Sequence, residues 1–294
     1  LEPAAMFECP DQRVVDLYYG MLVTTLSQRS NLGGIGVMSQ YTGMWLRNMS
    51  GPARFLSRIG LHEPVRDMLE YYYLAARVEG DIRNSVALDL EPGQQPTEPE
   101  WDELPPFEGR VAAESPSYLP LMVDWYTKAS GDQSLVEEQY GMLMRALAGQ
   151  AIDGEWRLPF SGDETFRTAM AITEGFVLDY EYKVCCKSAN SSFLYSAAAG
   201  VLADWAEELG NSGDAVELRQ EAKLVRQSAE TTYRDDSGAY LAYVSIDNPG
   251  QKAPVFEDVA TKVLWCGYLS PSDERAITNV SRMVDILARP DGFL

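Results

Sequence analysis

Apolar residues recur three to four positions apart along most of the chain. In residues 11–30 they fall at Val14, Val15, Leu17, Tyr18, Met21, Leu22 and Leu26, a broad stripe that an α-helix gathers on one side. Residues 62–78 repeat the pattern with Val65, Met68, Leu69, Tyr72 and Tyr73. The same reasoning predicts helices over about residues 51–59, 115–130, 132–148, 164–173, 190–209, 213–233, 257–268 and 271–288. Ser115-Pro116 opens one of them by N-cap and first-position logic, and Ser270-Pro271-Ser272-Asp273 opens the last. Alternation of Tyr240 and Tyr243 in residues 235–257 predicts a short hairpin.

The helices come in pairs. A first helix ends at Gly60, Gly131 or Gly210, a short turn follows, and a second amphipathic helix returns. Longer connections alternate with the short ones: a Gly-rich segment from Asn31 to Gly36, residues 80–113 with five prolines around Trp101, and residues 150–162. Hairpins with buried faces stack side by side, and the unequal loops favour closure into a ring over an open solenoid. The expected fold is all-α, a toroid of helical hairpins with its long loops at one end, forming a single domain over 1–294.

Composition narrows the function. With 46% hydrophobic and 23% charged residues the chain is globular, and its formal charge of −20 disfavours nucleic acid and anionic membrane surfaces. No apolar run reaches the length of a membrane span. The four cysteines (Cys9, Cys185, Cys186, Cys266) suit buried thiols better than a disulfide framework or a zinc site. His62 is the only histidine, which disfavours a His-based triad or a His-rich metal site. No metal and no cofactor is expected.

Four clusters carry candidate chemistry. Trp45-Leu46-Arg47-Asn48 joins an indole that can cover the C–H face of a sugar to a guanidinium and an amide that can serve its hydroxyls. The alternative there is a buried Trp with an Arg paired to a nearby carboxylate. Residues 153–167 hold Trp156, Asp163, Glu164 and Arg167. Glycosidic cleavage needs a carboxyl group that stays protonated. Asp163 beside Glu164, with Phe160 and Phe166 close by, promotes that state, although acids at a helix start can also be simple caps. Asp179-Tyr180-Glu181-Tyr182-Lys183, followed by the segment from Ser188 to Tyr195, offers Glu181 either as a pocket carboxylate or as a surface partner of Lys183. Glu114 and Tyr118 flank a helix start and form the fourth cluster.

Together these motifs resemble the six-hairpin glycosidase superfamily of glucoamylases, trehalases, glycogen-debranching glucosidases and inverting disaccharide phosphorylases. Trp45-Leu46-Arg47-Asn48 is similar to its Trp-x-Arg-Asp element, with Asn48 in place of the Asp. That match implies contacts to the terminal sugar from Trp45, Arg47 and Asn48. Gly162-Asp163-Glu164-Thr165-Phe166 resembles the Gly-x-Asp-Glu-aromatic element of maltose-phosphorylase-like enzymes, which implies that Glu164 is the general acid. A comparison with glucoamylases instead sets Glu181 in the acid's segment, and the two alternatives stand side by side, the first with the closer local match. Six hairpins need twelve helices, whereas about ten are legible here. The chain is therefore expected to lack the last hairpin, and the activating base, which in this superfamily often comes from a late loop, is either absent from this sequence or supplied by Glu114 or Glu181.

The resulting expectation is an inverting glycoside hydrolase acting on a neutral carbohydrate. Glu164 and Glu181 are its catalytic carboxylates, held roughly 6.5–9.5 Å apart as inversion requires. Trp45, Arg47, Asn48, Glu114, Trp156, Asp163 and Arg167 hold the substrate. An inverting disaccharide phosphorylase and a non-catalytic helical-repeat scaffold or carbohydrate-binding protein are the rival readings.

Overall fold

The computed structural model describes residues 5–36, 43–91, 93–108, 111, 114–159, 186–245 and 257–288. They are mostly helical, with two small antiparallel sheets of two strands each, the all-α hairpin class that the periodicity predicts. The chain divides into two compact units, Leu1–Leu104 with Tyr118–Ala146 and Pro105–Ser117 with Leu147–Leu294.

The first unit contains α1 (Gln12–Ser27), β1 (Gly43–Trp45), α2 (Leu46–Arg58), α3 (His62–Glu79), β2 (Ser85–Ala87), α4 (Tyr118–Ser130) and α5 (Ser134–Ala148). α2 and α3 are joined by a tight turn in which Gly60 adopts φ 84°. There the Leu61 amide donates to the Leu56 carbonyl at 3.0 Å and satisfies a carbonyl that the helix end leaves over. α2 packs on both α3 and α4, burying Leu46, Met49, Leu56, Met68, Tyr72 and Met122. The Gly-rich segment lies flush on α3, because a Cβ on Gly33 would sit 2.8 Å from Asp67. The excursion after Gly80 is tied down too. Buried Arg145 on α5 holds Asp81 through two bonds of 3.0 and 2.8 Å and donates to the Leu104 carbonyl. Trp101 closes over Gly141, whose missing side chain leaves room for the indole.

The second unit contains a 3₁₀ turn at Ser115–Ser117, β3 (Cys186–Ser188), α6 (Ala189–Glu208), α7 (Ser212–Thr232), β4 (Tyr243–Ser245), α8 (Glu257–Trp265) and α9 (Glu274–Leu287). Gly210 at φ 83° turns α6 into α7, with the Asn211 amide on the Ala206 carbonyl at 2.8 Å. Phe193, Tyr240 and Tyr268 form one aromatic group, with ring centroids 4.5–6.3 Å apart. Glu230 on α7 gathers the hydroxyls of Tyr240 and Tyr268 at 2.6 and 2.9 Å and the guanidinium of Arg275 at 3.0 Å.

Three expected boundaries move. α2 starts at Leu46, not near residue 51. The last helix starts after Asp273, whose carboxylate caps the Arg275 amide at 2.9 Å, while Ser270 to Ser272 form a preceding turn. β4 falls inside the expected 235–257 segment but pairs with β3, and an antiparallel bridge between Arg234 and Tyr240 precedes it. Cys9 is a half-buried free thiol and Cys266 a buried one. Among the described residues no helix is long and apolar enough to cross a membrane.

Candidate functional site

In the first unit, β1 runs straight into α2. Trp45 is both the last strand residue and the helix cap, in extended conformation and without a side-chain capping bond. β1 pairs antiparallel with β2, Trp45 opposite Ser85, and the Leu46 amide donates to the Asn84 carbonyl at 3.0 Å. A Cβ on Gly43 would meet the Val86 carbonyl at 3.2 Å, so the small residue lets the strands close. Trp45, Arg47 and Asn48 are thereby brought together at one strand–helix junction, the first two half-buried and the third exposed. Gly51-Pro52 reads as a helix start, yet Pro52 sits inside α2. Its missing N–H would have served the carbonyl of Asn48, an exposed residue on the first turn of the helix.

The second unit holds a buried polar knot. Glu114 is 6% exposed and Asn190, on the first turn of α6, 2%. The Asn190 Nδ2 donates to Glu114 Oε2 at 2.6 Å. Beside Glu114, Ser117 accepts a bond from Gln150 Nε2 at 2.9 Å. Ser188 caps α6 by accepting from the Ser191 amide at 3.2 Å, and Ser191 Oγ donates to the Pro159 carbonyl at 3.2 Å. The Ser188 amide donates to the Leu158 carbonyl at 3.0 Å, and Ala189 to the Ala242 carbonyl at the same distance. Four segments distant in sequence are thus locked around the Glu114–Asn190 pair. The run Ser188-Ala189-Asn190-Ser191-Ser192 signals a helix start, but nothing in it announces a partner 76 residues away.

Trp156 lies in a loop pinned to β3. It has φ 61°, the one positive φ outside glycine among the described residues. Asp153 enforces this conformation: its Oδ1 accepts the amides of Glu155 and Arg157 at 2.9 and 3.0 Å, and its Oδ2 meets Arg157 Nε and Lys187 Nζ at 3.0 and 3.1 Å. Burial pushes the Asp153 carboxyl up, but the bonds from Arg157, Lys187 and Glu155 outweigh it and leave the group below its ordinary value. A large residue in the left-handed region is strained, and such strain collects at functional sites. The half-buried indole is available as a flat apolar surface.

Asp163, Glu164, Arg167 and Glu181 lie outside the described residues. Among the described residues no group of three or more His, Cys, Asp or Glu side chains is arranged to hold a metal ion. In the first unit Arg47 offers donors, Asn48 a donor and an acceptor and Trp45 an aromatic face; in the second, Glu114 offers an acceptor and Trp156 an aromatic face.

No protein-family model and no curated protein sequence matches the chain. Solved structures do match in fold. A wild-type glycosidase superposes with a TM-score of 0.64 at 13% identity, over 96% of this chain and 72% of that one. A GH78-family rhamnosidase of Bacillus sp. GL1 gives 0.64 at 14% identity, over 98% of this chain and 27% of that one. A rhamnosidase from Klebsiella oxytoca with rhamnose bound gives 0.61 at 15% identity, over 97% and 49%. The chain therefore has the helical-hairpin fold of these proteins, along nearly its whole length.

Proposed function

We propose that this protein hydrolyses the glycosidic bond of a neutral glycoside, with inversion at the anomeric carbon and with Glu164 as the general acid. The observation that carries the reading is the fold: its solved counterparts are glycosidases and rhamnosidases, matched over 96–98% of this chain. The substrate class follows from the same source and from charge. Counterparts hold rhamnose or glucose, and a chain of formal charge −20 favours an uncharged sugar over an anionic one.

Glu164 donates its proton to the leaving oxygen, which avoids expelling an alkoxide. Glu181 takes the base's part and activates water on the opposite face of the ring. Trp45 and Trp156 cover apolar sugar faces, while Arg47, Asn48, Glu114, Asp163 and Arg167 bond hydroxyls. A panel of aryl glycosides that includes α-L-rhamnosides and α-D-glucosides tests the activity. The variant Glu164→Gln keeps the shape and removes the proton, so turnover should fall by a factor on the order of 10²–10⁴ with binding retained. Unaltered turnover removes Glu164 from the mechanism, and release of the retained anomer, seen by NMR, removes inversion.

A further inference from the structure

The amide of Asn190 does more than hold Glu114. A carboxylate only accepts, so the nitrogen of the amide must be the atom facing Glu114 Oε2 at 2.6 Å. The orientation of the side chain is fixed by chemistry, and Oδ1 points away from the carboxylate. That oxygen is buried and has no hydrogen-bond partner among the described residues, although Asn190 is only 2% exposed. A buried acceptor without a donor is disfavoured, and native structures keep few of them. Here the acceptor cannot swing elsewhere, because Glu114 holds the amide, the Ser188 cap holds the first turn of α6, and the β3–β4 pairing holds Ser188 opposite Tyr243. The missing partner must donate. A hydroxyl is a donor of that kind, and the carbohydrate class of ligand comes from the glycosidase reading.

We propose that Asn190 is a specificity-determining residue of this protein. Its Oδ1 accepts a hydroxyl of the bound sugar while its Nδ2 fixes Glu114 for the neighbouring contact. The ligand class rests on the glycosidase reading given above; the acceptor and its orientation do not. A buried water at Oδ1 is the competing outcome.

The test measures thermal shifts of the full chain with L-rhamnose and D-glucose, and KM for the aryl glycosides, in wild type, Asn190→Ala and Asn190→Asp. The wild type should be stabilised by at least one of the two sugars. Asn190→Ala should lose that shift and raise KM about ten-fold, the size of one lost hydrogen bond. Asn190→Asp retains an acceptor but sets two carboxylates face to face. Its sugar binding should therefore weaken at neutral pH and recover as the pH falls and the pair takes up a proton, a response that a purely structural residue would not give. If the alanine variant does not fold, the pH dependence of the aspartate variant decides. Equal sugar shifts and KM in wild type and variants overturn the proposal in favour of water, as does a wild type that neither sugar stabilises. Should wild type turn over no glycoside and yet lose its sugar shift on substitution of Asn190, the glycosidase reading fails and this inference stands. Turnover with a KM indifferent to Asn190 gives the reverse.

Discussion

Among the described residues the same β–α–α–β module occurs in each unit, in Gly43–Trp45 to Ser85–Ala87 and in Cys186–Ser188 to Tyr243–Ser245. In both, a three-residue strand runs directly into a helix, and its last residue lies opposite the first residue of the partner strand. The next amide, Leu46 or Ala189, donates at 3.0 Å to the carbonyl just ahead of that partner strand. Both helices end alike, at Gly60 and Gly210 with φ 84° and 83°. The difference lies at the helix starts. Trp45, Arg47 and Asn48 occupy the positions that Ser188, Asn190 and Ser191 hold in the other copy. The first copy leaves its cap without a side-chain bond and keeps Asn48 exposed. The second caps itself with Ser188 and buries Asn190 and Ser191. One backbone device therefore carries an open junction with a guanidinium in one unit and a closed one around a buried Glu114–Asn190 pair in the other. The strand and turn set where the side chains stand, while their identity sets the chemistry.

Substitutions at the two junctions should differ in cost. The largest effect is expected at the buried junction. Glu114→Ala strands the Asn190 amide away from water and should cost about 2–3 kcal/mol in urea unfolding. Arg47→Ala at the half-buried junction should cost less than about 1 kcal/mol. Equal losses would show that the two junctions do not differ in burial as described.

Next come the turns. At Gly60 and Gly210 a new Cβ would meet nothing within 4 Å, so Gly→Ala at either site adds only backbone strain. Each should cost roughly 1–2 kcal/mol, and the two should agree. Unequal costs would mean that the turns differ in more than sequence.

The smallest effect is alkaline. Tyr72 in the first copy donates to the Arg83 carbonyl, and Tyr195 in the second to Glu221. Burial, first of all, drives both phenols well above their ordinary range, with Asp81 adding to it at Tyr72 and Glu221 at Tyr195. A folded-state pKa above the unfolded value of about 10 gives stability that is intact below pH 10 and is lost as the pH rises beyond it. Thermal unfolding between pH 8 and 11 should show this loss, up to about 1.4 kcal/mol per pH unit for each phenol. Tyr72→Phe and Tyr195→Phe should each flatten the decline; an unchanged slope would contradict the burial of the phenols.

The helical hairpins were readable from sequence because a 3.6-residue period and a closing glycine both act locally. The start of α2 was not, since Gly51-Pro52 imitates a helix beginning whereas Pro52 sits inside the helix. β1, β2 and β3 escaped notice, and β4 was expected with a local partner, for a related reason: three residues are too few to show alternation, and the partners lie beyond a whole helical hairpin. Of the candidate site, Trp45, Arg47 and Asn48 could be recognised as a group because they are neighbours in the chain. The bond from Asn190 to Glu114 spans 76 residues, and the left-handed backbone of Trp156 depends on Lys187 as well as on Asp153. Neither leaves a mark within a short stretch of sequence.

The central claim, that Glu164 protonates the leaving group of a glycoside, is tested most directly by varying that leaving group. Rates of wild type and Glu164→Gln would be compared on phenyl and 2,4-dinitrophenyl glycosides of the same sugar. A dinitrophenolate departs without a proton, so the variant should lose most of its activity on the phenyl substrate and little on the dinitrophenyl one. An equal loss on both, or none on either, would contradict the assignment.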